Sequence, residues 1–286
     1  MLPGFREKYD LVLLDSRKED RTGKAVPGIE VVDLIDPDRK KYAKYFEGVD
    51  AVVHLAHKIQ RTDPIDHFFS EKQNVEMAYN IFRTSYDAGV RRVVMASSNH
   101  AADWYEHNMV HTRKKEVVDP YDYPLSDNFY GWAKATYEHM GFLFANGFPN
   151  FSHPSGRELL VEGANAGRKL GVIMVRIGHP RELEFKNYGS DEATFKRVLG
   201  CYFSARDATQ IFMKSIETEN IDNEHGIPFH VVYGISNNTR AFWSLANARK
   251  VLGYAPEDDA EVKFAHLVRE HITGNPKSGV GRVGLK

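Results

Sequence analysis

Short apolar runs that alternate with helical patterns constrain the fold of this chain more than any other feature. The run 50–56, Asp-Ala-Val-Val-His-Leu-Ala, is apolar on both faces, as a strand is when it is buried inside a parallel sheet. Further runs predict strands at 9–14, 28–32, 92–96, 171–178 and 229–233. Strands and helices that alternate at this spacing predict βαβ units, and therefore an α/β fold with a doubly wound, mainly parallel sheet.

The helices expected between these strands cover 36–48, 74–88, a segment that begins at Tyr130, 204–217 and 241–252. Gly89 follows the second of these helices and is suited to end it as a C-cap. Residues 97–126 predict a long polar loop. The Gly- and Pro-rich stretch 146–170 predicts a less regular segment with a short helix at 155–166.

We expect one Rossmann-type domain over 1–273, with substrate-binding elements mainly in 179–240 and a flexible polar tail over 274–286. The formal net charge of −1 gives no reason to expect nucleic acid or an anionic membrane as a partner. The single cysteine, Cys201, excludes an internal disulfide framework and suits a reducing cytosol. No signal peptide and no apolar run of membrane-spanning length is found, so a cytoplasmic protein is expected.

Two stretches carry side chains that are suited to catalysis. The run 93–100, Val-Val-Met-Ala-Ser-Ser-Asn-His, reads as a strand that ends in hydroxyls, and Tyr130 and Lys134 share one face of a helix. A free tyrosine has a pKa of about 10, which is too high for a general base at neutral pH. A nearby ammonium lowers that pKa, and a serine can hold the substrate oxygen in line. The pattern predicts proton transfer to or from an alcohol by Ser98, Tyr130 and Lys134.

Ala96-Ser97-Ser98-Asn99-His100, Tyr130-x-x-x-Lys134 and Val175-Arg176-Ile177-Gly178 together resemble the extended short-chain dehydrogenase/reductase superfamily. Within that superfamily they are most similar to the NAD-dependent uronate dehydrogenases. The resemblance implies an NAD-dependent enzyme that oxidises a sugar or sugar acid at C1. It also implies a homo-oligomer, a dimer or larger, because the relatives commonly pair through the helix that carries the Tyr-Lys motif.

The cofactor expectation begins from Asp15, the carboxylate that ends the first predicted strand. A carboxylate there accepts the adenosine ribose hydroxyls and repels a 2′-phosphate, so Asp15 favours NAD over NADP. The resemblance adds further cofactor-binding residues: Asp33, Leu55, Ala56, Asn74, Tyr130, Lys134 and Ile177. In most relatives a small residue follows the position of Ala56, whereas this chain has His57. That histidine either crowds the cofactor channel or points to solvent.

The substrate expectation also comes from the resemblance. It places Ser98, Asn99 and His100 on the sugar hydroxyls and His179 where the uronate dehydrogenases usually have a serine. Arg197 lies where the family keeps an arginine for the sugar carboxylate. A guanidinium grips a carboxylate well because it donates two parallel N–H bonds. The other interpretation of Arg197 is a solvated helix arginine.

The stretch before Asp15 lacks a feature that a dinucleotide-binding fold requires. Such a fold opens with a strand, a glycine-rich turn and a helix that receives the pyrophosphate. The segment 1–8 resembles only the tail of that helix. We therefore expect a chain that is truncated at its amino terminus, in preference to one that has lost cofactor binding. Without the central first strand, two inner edges of the sheet would be left unpaired or forced together.

The same residues are also compatible with other functions. A sugar-nucleotide epimerase or dehydratase would use the same Ser, Tyr and Lys, and a cofactor-free remnant would explain the missing glycine-rich turn. His100, His107 and His111 fall in one loop, but no HExxH or paired CxxC spacing accompanies them, so no metal site is expected. The absence of a G-x-S-x-G elbow argues against a serine hydrolase.

Overall fold

The computed structural model describes residues 1–20, 22–60, 63–148, 167–184, 187 and 191–273. The strands of this part are β1 (Leu13–Asp15), β2 (Ile29–Val31), β3 (Ala51–His54), β4 (Arg92–Ser98), β5 (Gly171–Ile177) and β6 (Phe229–Gly234). Its α-helices are α1 (Leu2–Lys8), α2 (His67–Asp87), α3 (Asp103–Tyr105), α4 (Phe129–Ala145), α5 (Glu192–Cys201), α6 (Ala205–Glu217), α7 (Ala246–Leu252), α8 (Ala260–Lys263) and α9 (Ala265–Val268). In these residues we find no helix with the length and apolarity that crossing a membrane requires.

The strands form two parallel sheets. β3, β4, β5 and β6 hydrogen-bond in that order, and β1 pairs with β2 in a separate two-stranded sheet. The α/β class and the parallel sheet are therefore confirmed. Among the described residues β1 and β3 do not pair with each other, so the inner edges are left unpaired and are not forced together.

The two faces of the four-stranded sheet bury two separate cores. Side chains alternate along each strand, so neighbours face opposite sides. Val94, Ile173, Val175 and Val232 pack with residues of α5, α6 and α7, whereas Val93, Met95, Val172, Met174 and Val231 pack with residues of α2 and α4. Covering both faces with helices explains why β4 is buried at every residue.

Several predicted elements differ in extent. The predicted helix over 36–48 is two turns of 3₁₀ helix, and α2 begins seven residues before the predicted start at Asn74. The expected polar loop 97–126 includes the last two residues of β4 and then short helical turns through Val110. α5 was not predicted. The helix expected at 155–166 and the tail at 274–286 lie outside the described residues.

The strand register brings the ends of β4, β5 and β6 level with one another. Ser98 is paired in register with Ile177, and Ile177 with Gly234. These residues therefore share the carboxyl edge of the sheet, which is where open α/β sheets bind ligands. The segment that follows β4 and the first turn of α4 meet at this edge.

Candidate active site

Ser98 and Tyr130 lie at the centre of the carboxyl edge. Ser98 is the last residue of β4, and Tyr130 lies in the first turn of α4. That turn is capped by Asn128, whose side-chain oxygen accepts a 2.9 Å hydrogen bond from the N–H of Gly131. Ser98 lies close enough to the hydroxyl of Tyr130 to favour its charged form. The two residues that the sequence predicted to act together therefore lie near each other.

Ser97, the neighbouring hydroxyl, has a different role. Its hydroxyl donates a 2.6 Å hydrogen bond to the Glu138 carboxylate, which also receives two bonds from the buried guanidinium of Arg176. Successive strand residues face opposite sides, so one serine is tied into the protein interior while the next serves the cleft.

Gly131 allows α4 to approach β4 closely enough to bring Tyr130 near Ser98. A Cβ at this position would overlap the carbonyl oxygen of His100 and the hydroxyl of Ser126. A backbone carbonyl cannot move aside without shifting the loop that follows β4. The glycine inside the Tyr-x-x-x-Lys motif is therefore a packing requirement.

Replacing Gly131 by Ala tests this requirement. We expect Gly131→Ala to lower the free energy of unfolding by about 1–3 kcal/mol, as overpacking does. Turnover should fall more than the stability suggests, by roughly 10²-fold, because Tyr130 is displaced from Ser98. Urea unfolding and initial rates measure the two effects. Gly4→Ala in α1 is the matched control, since its Cβ would meet the nearest atom at an ordinary 3.5 Å. A fully active Gly131→Ala protein would contradict the close-approach argument.

Lys134 lies beneath the tyrosine and is almost completely buried. Its ammonium donates a 3.0 Å hydrogen bond to the carbonyl of Ala96 and lies 5.6 Å from the centre of the Tyr130 ring. Burial lowers the pKa of Lys134 to about 8, although the carboxylates of Glu71 and Glu138 oppose that shift.

The pKa of Tyr130 moves in the opposite direction to the one expected from the sequence. Burial, the largest cause, raises it above its ordinary value, and Glu71 adds to the rise; Ser98 works against both. The expected lowering by Lys134 is therefore wrong for this state of the protein. Desolvation of the phenolate dominates the shift.

Burial of Lys134 predicts a pH-dependent cost in stability. With a pKa of about 8 in the folded chain and an ordinary value of 10.5, the unfolded state binds the proton more tightly. Stability should therefore rise as the pH increases from about 8 to 10.5, and the full cost, roughly 3 kcal/mol, should apply below pH 8. We expect Lys134→Met to raise the free energy of unfolding by about 1–3 kcal/mol at pH 7.

Urea unfolding of Lys134→Met and wild type at about pH 8 and pH 10.5 measures this difference in the free energy of unfolding. The difference should vanish above pH 10.5. Lys72→Met is the control, because Lys72 is exposed and pairs with Glu76 on the same helix. It should change stability by no more than about 0.5 kcal/mol at any pH. A Lys134→Met protein that is less stable than wild type at neutral pH would contradict the predicted cost.

Two histidine rings flank Tyr130. The ring of His57 lies 5.1 Å from it and that of His100 lies 5.6 Å from it, both edge-on. His57 thus points towards the tyrosine and not to solvent. Its Nε2 lies 3.4 Å from the buried carboxylate of Glu71, which also has His67 at 3.2 Å.

The residues expected to bind the cofactor follow the ends of successive parallel strands. Asp15 ends β1, Asp33 follows β2, and Leu55 and Ala56 follow β3, with all four exposed. Ile177 ends β5. An exposed Leu beside exposed carboxylates at the carboxyl edge offers both an apolar surface and ribose acceptors, so these residues fit a dinucleotide.

The interior beside β3 also suits a bound polar group. Nε2 of His54 and Nδ1 of His57 are buried and have no hydrogen-bond partner among the described residues. Burial lowers the pKa of His54 to about 3, so its ring is neutral. Asn74, in contrast, is engaged by the chain itself: its amide bonds both the N–H and the carbonyl of Lys58. It therefore holds the loop after β3 in place.

The residues expected to bind the substrate also converge. The Asn99 amide is oriented so that its nitrogen donates to the Ile177 carbonyl and its oxygen accepts from Arg197. His100 is anchored through Nδ1 at 2.7 Å from the buried Asp103 carboxylate. Burial, followed by the charges of Arg181 and Arg197, lowers the pKa of His179. Four of the five residues expected to bind the substrate, Asn99, His100, His179 and Arg197, therefore lie near one another.

Arg197 is not a solvated helix arginine. Its Nε and Nη2 both donate to the carboxylate of Glu106, a residue with no exposed surface. No local pattern points to Glu106 or to Asp103, because both fall in the segment expected to be a polar loop. Glu138 did carry a signal, since it follows Lys134 by four residues on the same helix face.

The chain is similar to members of one family of enzymes. The model of the NAD dependent epimerase/dehydratase family matches residues 5–190. NAD-dependent glucose-6-phosphate dehydrogenase of Haloferax volcanii is 28% identical over 272 residues, which cover 90% of this chain and 88% of that protein. Uronate dehydrogenase of Pseudomonas syringae pv. tomato is 25% identical over 234 residues, or 82% of this chain and 68% of that one.

A solved structure described as a mutated uronate dehydrogenase has a similar fold over 99% of this chain and 82% of that one. The TM-score is 0.66 at 21% sequence identity. At that identity the likeness establishes the fold alone, and it agrees with the Rossmann-type sheet expected from the sequence.

Proposed function

The chain belongs to the NAD-dependent epimerase/dehydratase family, and from that premise we propose that it oxidises a sugar at C1 through Ser98, Tyr130 and Lys134. It is an enzyme, and NAD is its cofactor. The observation that supports the proposal most directly is that Ser98 favours the charged form of Tyr130, whose ring lies 5.6 Å from the buried Lys134 ammonium. The relatives named above, which are NAD-dependent glucose-6-phosphate dehydrogenase and uronate dehydrogenase, support oxidation of a sugar.

In this proposal Tyr130 accepts the proton of the C1 hydroxyl, and Ser98 donates a hydrogen bond to the same oxygen. A tyrosine with a raised pKa has to be helped to ionise, and Ser98 favours its charged form before the sugar binds and takes up the single O–H donor of the serine. The Lys134 ammonium, 5.6 Å from the Tyr130 ring centre, is the cation proposed to stabilise the phenolate as it forms. Asn99 and His100 orient the remaining hydroxyls of the sugar, which fixes the C1 oxygen against the base.

NAD supplies the hydride acceptor when it is bound. Asp15 and Asp33 would hold its adenosine half, Leu55 and Ala56 would line its path, and Lys134 and Ile177 would lie at its nicotinamide end. Asn74 acts on the cofactor through the loop that it holds.

A thermal-shift titration with NAD, followed by assay of NADH formation, tests the proposal. A ligand that binds only the folded chain at a hundred times its dissociation constant stabilises it by about 2.7 kcal/mol, which moves the melting curve visibly. We expect a saturable shift with NAD, a smaller one with NADP because Asp15 repels the 2′-phosphate, and NADH formation from aldoses or uronates.

Two results would overturn the proposal in different ways. Interconversion of a sugar nucleotide without net NADH would assign the same residues to an epimerase, which returns the hydride to its substrate. A folded sample that shows no shift with NAD would favour the cofactor-free alternative.

A further inference from the structure

Arg197 uses most of its hydrogen-bonding capacity within the protein. A guanidinium carries five N–H groups, one on Nε and two on each terminal nitrogen. Nε donates to Oε1 of Glu106, and Nη2 donates to Oε2 of Glu106 at 2.9 Å. Nη2 also donates to the Asn99 oxygen at 3.1 Å. Within the described part of the chain, only the N–H groups of Nη1 have no hydrogen-bond acceptor, and the guanidinium lies 6.0 Å from the ring centre of Trp243.

This arrangement affects how an acid can be bound. A carboxylate or phosphate is gripped by two parallel N–H bonds, from Nε with Nη2 or from Nη1 with Nη2. Both edges require Nη2, and both of its N–H groups are already engaged. Arg197 can therefore offer a ligand only single bonds from Nη1, which suit a hydroxyl oxygen.

The charge of Arg197 is also compensated. Burial would raise the pKa of Glu106, but the hydrogen bonds from His111 and Arg197 outweigh it and hold this pKa below its usual range. Glu106 is therefore a carboxylate at neutral pH, and it neutralises the guanidinium. A second buried carboxylate, Asp103, also faces Arg197.

The other charged groups at this end of the cleft do not change that balance. Asp103 is bonded to His100 and to the amide of Asn128, and His111 contacts Glu106 at 3.3 Å. Arg181, whose charge reaches His179, is exposed to water and therefore screened. Among the described residues, the buried positive charge at this end, that of Arg197, is therefore compensated by carboxylates and attracts an acid only weakly.

We propose that Glu106 determines the substrate class, so that the site prefers a sugar with an uncharged hydroxyl or hydroxymethyl group facing Arg197 over the uronate of the same configuration. This inference rests on the proposed function, since it concerns the sugar that is oxidised. It departs from the role that the family resemblance implied for Arg197, because a guanidinium that is already bound to a carboxylate gains little from a second one.

Matched sugars that differ only at C6 test the inference. We compare kcat/KM for NADH formation from galactose and galacturonate, and from glucose, glucuronate and glucose 6-phosphate. Wild type should favour the neutral sugar of each set by about 10-fold or more. Glu106→Gln removes the compensating charge. The ratio of kcat/KM for the neutral sugar to kcat/KM for the uronate should therefore fall by roughly 10- to 100-fold, the size expected for a hydrogen bond to a charged group. Glu257→Gln is the control, because it removes the same charge from an exposed pair with Arg206 and should leave the ratio unchanged.

Three outcomes would count against it. A wild-type preference for the uronate or the phosphate would overturn the inference while leaving sugar oxidation intact. A folded Glu106→Gln protein with the wild-type ratio would overturn the role of Glu106. If that variant does not fold, the wild-type ratios decide the matter alone. NADH from none of these sugars would instead reject the proposed function, and the inference with it.

Discussion

Tyr130→Phe should lose nearly all turnover while it keeps its fold and its affinity for NAD. The substitution removes the hydroxyl that lies near Ser98 and retains the ring between His57 and His100. Loss of a positioned general base costs about 10²- to 10⁴-fold in rate. We expect kcat to fall within that range, measured as NADH formation under saturating sugar and NAD.

The matched control is Tyr137→Phe, two turns along the same helix. Its ring is fully buried 4.6 Å from the Lys134 ammonium, and its hydroxyl has no hydrogen-bond partner among the described residues. Removing that hydroxyl relieves an unsatisfied polar group, so activity should persist and stability should not fall. A Tyr130→Phe enzyme that retains more than about a tenth of the wild-type rate would reject Tyr130 as the base.

The second large effect concerns stability. Arg176→Met removes a buried guanidinium that donates to Glu138 at 2.7 and 2.8 Å and to the hydroxyl of Tyr233 at 3.0 Å. Within the described part of the chain, Glu138 would then be a buried carboxylate with Ser97 as its one remaining donor. Breaking such a pair on one side costs about 3–5 kcal/mol. At roughly 2–4 °C per kcal/mol for a chain of this size, the melting temperature should fall by about 10 °C.

The double variant Glu138→Leu/Arg176→Met distinguishes the contribution of the ion pair to stability from the cost of leaving the Glu138 carboxylate buried without its partner. Because an apolar pair of similar volume often replaces a buried ion pair without loss, most of the stability should return. Activity need not return, since Glu138 is tied to Ser97 on β4 and to Arg176 on β5 and so fixes α4 above the sheet. A loss of less than about 1 kcal/mol in Arg176→Met would contradict the argument.

Local patterns found the main strands and the residues at their ends. The apolar run 50–56 and the strand 92–96 were recognised because a fully buried strand has no polar face, which is visible in adjacent residues. Ser204 was expected at the start of a helix and is its N-cap, with its hydroxyl bonded to the N–H of Asp207. The segment after β4 was misjudged, since its helical turns are too short to show a period.

The sequence by itself determined the parallel α/β sheet and the meeting of Ser98, Tyr130 and Lys134, because strand alternation and helical periodicity are properties of neighbouring residues. Only the tertiary structure decided that Ser97 is bonded to Glu138 and in which direction the pKa of Tyr130 moves. It also decided that the charge of Arg197 is taken up by Glu106, which lies 91 positions away in the chain. Burial and ion pairing depend on segments that meet only when the sheet is covered, and no local pattern records them.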